Sequence, residues 1–306
     1  MAGLKELRNR LESVKSTEKI TSAMKLVAAS RLRKADLALN RSAYYSHMIK
    51  TTIKRIMADL ALEEKEKKVK FVLPELLRPR PNAKNYLLFV FSSDRGLCGS
   101  YNQNVGKAAS ARIKELESAG KSVKIICYGK KAYAILKKQY NDKILEINEA
   151  IAAKGLSFDE AAELGKKIGE ACNNGTCDVC EIVFSKYHSA ISREISAMQI
   201  YPLQENSLET SDEDKNLVRV GDAYYDYYPN RFAMLDALLP KLIVNLIFNA
   251  MANSQASEQG ARMAAMDNAT RNAKDMIGEL TLKYNGIRQS AITTELTEII
   301  SGAEAL

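Results

Sequence analysis

Glycine and proline are missing from Leu4 to Leu73, and proline is missing again from Lys241 to Leu306. Proline removes a backbone donor and clashes with the preceding helical turn, and glycine costs backbone entropy, so both act as helix stops. Without those stops the two ends read as very long helices. Histidine is almost absent: His47 and His188 lie on different predicted elements, with no nucleophile or carboxylate grouping to join them. No catalytic residues are expected. The five cysteines (Cys98, Cys127, Cys172, Cys177 and Cys180) accompany no export signal and are expected to be reduced thiols. The opening Met1–Glu6 lacks an apolar h-region, and the first rod is too acidic and too regular for a transit peptide. The most apolar stretch, Ala233–Ala252, is interrupted by Asp236, Pro240, Lys241, Asn245 and Asn249, which makes it a poor membrane span.

What is present is enough apolar residue for a folded core, 46% of the chain, and an uneven charge distribution. The first 60 residues carry 13 Lys/Arg against 5 Asp/Glu, a surplus of eight, while the remaining 246 balance at 32 each. A basic rod of this kind can attract nucleic acid, an anionic membrane or an acidic protein surface, and charge alone does not choose among them. Basic and aromatic residues do not interleave along the rod, which counts against nucleic acid.

Along the first rod Leu4, Leu7, Leu11 and Val14 recur at helical spacing, and after Thr17 the seam is expected to resume at Ile20, Met24 and Val27. A helix over roughly residues 4–60 is about 85 Å long at 1.5 Å per residue, more than a small domain can bury, so it needs another rod. The other end supplies one. Met263, Met266, Thr270, Ala273, Ile277, Leu280, Tyr284, Ile287, Ala291 and Thr294 alternate in threes and fours, the seam of a two-stranded coiled coil. Small and polar seam residues weaken an isolated pair and imply surrounding partners. Joined through one middle unit, the rods close most simply side by side as an antiparallel coiled coil.

The middle begins after the charged run Glu63–Lys68 and the prolines Pro74, Pro79 and Pro81. Strands are predicted at 86–92, 123–128, 144–147, 178–187 and 193–201, and helices at 102–118, 130–140 and 158–172. This βαβα order implies a mainly parallel, Rossmann-like sheet ending in a hairpin. Residues 206–216 read as a polar surface loop, Pro229 as a helix start, and Pro240 as a kink or restart. The expected division is residues 1–73 as an N-terminal coiled-coil helix, 74–216 as a central α/β domain and 217–306 as a C-terminal coiled-coil helix.

The loop Ser92–Ser100 lies between a strand and a helix, where backbone amides can cradle a phosphate. It lacks both the dinucleotide fingerprint and the P-loop ending, so it reads as a tight turn in which Gly96 and Gly99 take unusual dihedrals and Arg95 projects outward. Cys172, Cys177 and Cys180 have thiolate-ligand spacing without a fourth ligand nearby, so neither a metal nor a cofactor is expected.

The terminal string Ile292–Ala305 resembles the C-terminal signature of the gamma subunits of F-type rotary ATP synthases, and Lys19–Ser30, Ser93–Gly99 and Ala256–Met263 resemble further stretches of the same family, in order along the chain. The resemblance implies a non-catalytic central rotor shaft. Its terminal helices would form a coiled coil inside a ring of three alpha and three beta subunits. Its α/β domain would form a foot, seated with the epsilon subunit on the membrane ring of c subunits, and proton flow would turn it. The same resemblance implies beta contacts at Arg95, at Arg288 and Gln289, and at Lys19, Met24 and Lys25. It implies epsilon or c-ring contacts at Tyr225, Tyr227 and Tyr228. It places the chain on the cytoplasmic face of a bacterial inner membrane, held there through the c ring and not by a span of its own. Gly260 stands where many relatives have alanine, which is expected to soften the helix by up to about 1 kcal/mol.

Overall fold

In the computed structural model the described residues are 2–68, 71–149, 156–190, 192–204, 208 and 225–304. Helix α1 spans Ala2–Lys67 and α5 spans Arg231–Glu304. Between them lie β1 (Asn85–Phe91), α2 (Tyr101–Ser118), β2 (Ser122–Tyr128), α3 (Lys130–Tyr140), β3 (Ile144–Asn148), α4 (Phe158–Asn173), β4 (Val179–Tyr187) and β5 (Arg193–Tyr201). The sequence places every one of these elements to within about two residues, apart from the far ends of the two long helices. The loop expected at 206–216, and with it the boundary at 216/217, lies outside the described residues apart from Leu208.

The strands form one sheet in the order β3-β2-β1-β4-β5, parallel except for the β4–β5 hairpin. The run Leu87–Phe91 is apolar at every position because both faces of its strand are covered. Leu87, Phe89 and Phe91 point to one cluster, with Ile53, Ile56, Ile168, Leu239 and Ile247, while Leu88 and Val90 point to the other, with Val105, Ile113 and Leu136. Thus α2 and α3 cover one face, and α4 with parts of α1 and α5 cover the other. Gly106 of α2 is required by close helix packing, since a Cβ there would lie 2.7 Å from Ile135 Cγ2.

The chain divides into two compact units, one made of Met1–Ser30 and Arg262–Leu306, the other of Arg31–Ala261. In the first, Thr21 meets Thr270 through their hydroxyls at 2.8 Å, and Lys25 Nζ donates to Asp267 at 2.6 Å. Residue numbers rise on one segment as they fall on the other, so the two helices run antiparallel. The expected seam needs a correction here: Ile20 and Val27 are exposed, and the buried positions are Thr21 and Ala28, with Met24 half-buried. Small side chains permit close approach, and the Thr21 hydroxyl is satisfied by donating to Glu18 O at 3.0 Å, so a threonine fits where isoleucine was expected. The opposite seam holds at Met266, Thr270, Ala273 and Leu280, whereas Ile287 and Thr294 are exposed.

In the second unit α1 and α5 are antiparallel as well: Ser42 hydrogen-bonds Asn249, and Tyr227, just before α5, donates to Asp59. Two local expectations change. Pro229 does not start α5; Asn230 caps it, its Oδ1 accepting from Ala233 N at 2.9 Å. Helix α5 does not restart at Pro240 but runs on through it, because the buried neighbours Leu239, Leu242 and Ile243 hold it to the core despite the lost backbone bond. By length and composition α5 is apolar enough to cross a membrane, yet Leu235, Leu239, Leu242, Leu246 and Ile247 are buried in the core of this unit.

Gly260, near the end of this unit, has room for a methyl: an added Cβ would sit 3.4 Å from Ala190 Cα and 3.5 Å from Tyr187. The variant Gly260→Ala is expected to fold normally and gain up to about 1 kcal/mol from helix propensity. A lower melting temperature for the alanine variant would mean that Ala190 cannot give way.

Candidate functional site

Arg95 is exposed on the β1–α2 loop, and the base of that loop is tightly wired. The buried Ser92 hydroxyl accepts from Ala132 N at 3.0 Å and donates to Tyr128 O at 3.0 Å. Ser93 N donates to Asn102 Oδ1 at 3.1 Å, and Ser93 Oγ donates to Arg95 O at 2.7 Å. Asp94 Oδ1 accepts from Lys130 N at 2.9 Å, capping α3. Gly129, at φ +99°, brings the start of α3 against Ser92. These bonds hold the Arg95 backbone on a rigid mount while its guanidinium stays in solvent. The amide of Ser93 at the loop's start and those of Tyr101 and Asn104 in the first turn of α2 are turned onto acceptors within the chain. The expected turn geometry is corrected at one residue: Gly99 has φ +57°, but the second left-handed residue is Leu97, at φ +63°, and not Gly96. Nothing in the sequence marks a leucine for that conformation.

The unit built from the chain ends carries a different surface. Lys19, Arg288 and Gln289 are exposed, and Met24 is half-buried. Lys25 is engaged by Asp267, whose carboxyl is held below its usual range first by that hydrogen bond. Around these residues Ile20, Leu26, Val27, Leu282, Ile287, Ile292, Leu296, Ile299 and Ile300 are all exposed, Leu282 at 76% and Ile299 at 68%. Scattered apolar residues on a surface are ordinary, but this many on two paired helix segments mark a surface for partners. Sequence periodicity assigned Ile20, Val27 and Ile287 to the internal seam, whereas they are exposed.

The three tyrosines have different tasks. Tyr225 lies under the Arg55 guanidinium, 4.2 Å from its ring centroid. Tyr227 donates to Asp59 Oδ2 at 2.6 Å and has Arg231 5.5 Å over its ring, while Arg231 pairs with Glu63. Burial, then the hydrogen bond to Asp59, pushes the Tyr227 phenol up to about 12. Tyr225 and Tyr227 therefore tie the segment before α5 to α1, whereas Tyr228 is 91% exposed.

The histidines also need correction. His47 and His188 line one open groove of about 460 Å³ together with Asp36, Lys50, Tyr187, Asn249 and Asn253. The β4–β5 turn passes α1 there, a long-range contact that sequence spacing cannot reveal. No group of metal-ligating side chains forms among the described residues. The Cys172 and Cys177 sulfurs lie 2.9 Å apart and buried, and the contact raises the Cys172 thiol and lowers that of Cys177. Burial raises Cys180 well above the ordinary thiol range, consistent with a packing role.

Thus the described residues supply a wired basic loop, a hydrophobic helical surface and an exposed tyrosine, all suited to protein contacts. A family profile described as ATP synthase matches residues 3–306. The ATP synthase gamma chain of Rhizobium etli is 40% identical over 306 residues, covering 100% of both chains, and that of Maricaulis maris is 41% identical with the same coverage. Among solved structures, a chain of the Euglena gracilis mitochondrial ATP synthase OSCP/F1/c-ring assembly matches with a TM-score of 0.62 at 20% identity, over 99% of this chain and 94% of that one. A chain from the central stalk/c-ring structure of the Tetrahymena thermophila mitochondrial enzyme matches at 0.56 and 21% identity, over 82% of this chain and 99% of that one. These two likenesses, at TM-scores of 0.62 and 0.56, bear on fold alone. With full-length relatives at this identity, the chain belongs to the ATP synthase gamma chain family.

Proposed function

We infer that this chain is the central rotor shaft of a proton-translocating F-type ATP synthase, carrying torque between a membrane c ring and catalytic beta subunits; it is a non-catalytic subunit. The partners in this reading are three alpha and three beta subunits, epsilon and the c ring. It works on the cytoplasmic face of a bacterial inner membrane and is held there through the c ring. Residues 1–73 and 217–306 act as the shaft, and residues 74–216 act as the foot.

The observation that carries this reading is the density of exposed apolar residues on the paired chain ends, from Ile20 to Val27 and from Leu282 to Ile300. A shaft drives a bistable partner only through contacts that differ between the partner's conformations, since equal affinity for both shifts nothing. Two helices of unlike sequence present different side chains in different directions, which supplies that asymmetry. Lys19, Met24, Lys25, Arg288 and Gln289 belong to this surface as beta contacts. Arg95 meets an acidic beta loop from its rigid mount, and Tyr228, with Tyr225 and Tyr227 behind it, faces epsilon or the c ring.

Co-purification with mass spectrometry tests the assignment. Alpha, beta and epsilon are expected at three, three and one per copy of this chain, and their absence would overturn it. The variant Arg95→Glu is expected to leave folding within about 0.5 kcal/mol, because the side chain is exposed. Like charges at a contact cost several kcal/mol, so proton-driven ATP synthesis should fall about tenfold or more. Unchanged synthesis in membrane vesicles would remove Arg95 from the contact surface.

A further inference from the structure

All five cysteines are buried free thiols, and two of them are placed unlike the rest. The Cys172 and Cys177 sulfurs are 2.9 Å apart, about 0.9 Å more than a disulfide bond of about 2.0 Å. The backbone sets this approach. Helix α4 ends in a left-handed turn at Gly175, φ +68°, where Gly175 N donates to Cys172 O at 3.3 Å. Thr176 N and Cys177 N then both donate to Ala171 O, at 2.9 and 3.2 Å, which returns the chain to the side of Cys172. The next residue is anchored as well: Asp178 N donates to Asn85 O at 2.8 Å, and the Asp178 carboxylate accepts from Lys84 N and Asn85 N, both at 2.9 Å. The pair is therefore fixed by a helix end on one side and by the start of β1 on the other. Sequence spacing alone favours a different partner, since Cys180 is three positions from Cys177 and Cys172 is five. The fold reverses that preference, because Cys180 is locked into β4 opposite Leu87.

The two thiols also differ in character. Their hydrogen bond, with Cys172 as donor, lowers the Cys177 thiol and raises that of Cys172, and Arg80 and Lys124 lower Cys177 further, against burial and Asp178. An attacking thiolate beside a thiol that holds its proton is the arrangement of a reactive pair. By contrast, burial alone pushes the Cys127 thiol up to about 12, and the Cys98 sulfur has Ser93 and Asn102 beside it rather than a second thiol. We propose that Cys172 and Cys177 are a reversible modification site, closed to a disulfide by hydrogen peroxide and reopened by a small dithiol. Cys177 Sγ attacks one peroxide oxygen, the O–O bond breaks, and the departing hydroxide takes up a proton and leaves as water. Cys177 is then a sulfenic acid. Cys172 Sγ gives up its proton and attacks Cys177 Sγ, the S–O bond breaks, and a second water leaves. The two thiols have lost two electrons and peroxide has gained them. Residues 174–176 between the cysteines are exposed, and peroxide is small enough to enter as that turn opens. A dithiol reverses the reaction by exchange and is itself oxidised to a disulfide. In a reducing compartment the bond is transient and the dithiol is the resting state.

The test treats the folded full-length chain with hydrogen peroxide, alkylates the remaining thiols in denaturant and reads each cysteine by mass spectrometry. Cys172 and Cys177 are expected to escape alkylation together, joined and lighter by two hydrogens, and to be recovered by dithiothreitol, while Cys98, Cys127 and Cys180 stay alkylated. A bond between Cys177 and Cys180, alkylation of Cys172 and Cys177 as complete as in the untreated chain, or oxidation of the two as separate sulfinic acids would each overturn the proposal. The single variants read the order of attack. With Cys172→Ser, peroxide should leave a sulfenic acid at Cys177 that dimedone traps, whereas with Cys177→Ser trapping at Cys172 should be about tenfold slower or less. Equal trapping in the two variants, or faster trapping at Cys172, would overturn the assignment of Cys177 as the attacking thiol.

Discussion

Replacing Arg112 by methionine is expected to lower the stability of the chain by about 3 kcal/mol. Glu181 is only 4% exposed in the middle of β4, and Arg112 of α2 reaches it with Nε at 2.8 Å and Nη2 at 2.6 Å. This two-pronged geometry satisfies both carboxylate oxygens inside the sheet–helix interface. Without the guanidinium, a carboxylate remains buried with no counter-charge, and that residual charge carries most of the cost. The partial exposure of Arg112 keeps the loss at the lower end of the range for buried pairs. Chemical denaturation of the purified variant measures it directly. The double replacement Arg112→Met/Glu181→Met should recover most of the lost stability, and a double variant as weak as the single one would show that the packing of the arginine stem dominates.

The second large effect is expected at Gly129. Its φ of +99° is strained for any L side chain, and an added Cβ would lie 2.6 Å from the carbonyl oxygen and 2.7 Å from the carbonyl carbon of Ser92, which are backbone atoms with little freedom to retreat. Gly129→Ala should therefore cost about 3 kcal/mol, combining dihedral strain with overpacking. The same substitution pushes on the strand end that carries Arg95, so coupling should fall in assembled complexes at temperatures where the variant is still folded. Thermal melting together with ATP synthesis in vesicles separates the two effects. A variant that loses stability but couples normally would mean that the mount tolerates displacement.

The central body was legible because its signals are local. Buried parallel strands show as short apolar runs, helices as three-to-four spacing, and the hairpin as two strands with little between them. The long helices were legible through the absence of stops. What could not be read was which apolar residues face inward on a rod whose interior is made of small residues. Periodicity selects Ile20 and Val27 because they are apolar, while packing selects Thr21 and Ala28 because they are small, leaving the isoleucine and valine to solvent. That inversion moves large side chains from the seam to the exposed surface. The shared groove of His47 and His188 was illegible for another reason: 141 positions separate them, and only the passage of α1 by the β4–β5 turn unites them. Arg95 stood out from its loop, yet the left-handed Leu97 beside it did not, because no composition rule places leucine there. The tyrosines form one cluster in sequence, but Arg55 and Asp59 of α1 claim two of them and leave Tyr228 outside.

The rotor assignment requires that this chain turn inside its complex. The catalytic ring is fixed to a surface, a bead is attached to this chain through a cysteine introduced at the exposed Tyr228, and ATP is supplied. The bead should rotate in one direction with three equivalent pauses per turn, one for each catalytic site. A bead that stays still, or only jitters about one position, while the same molecules hydrolyse ATP would contradict the rotor assignment.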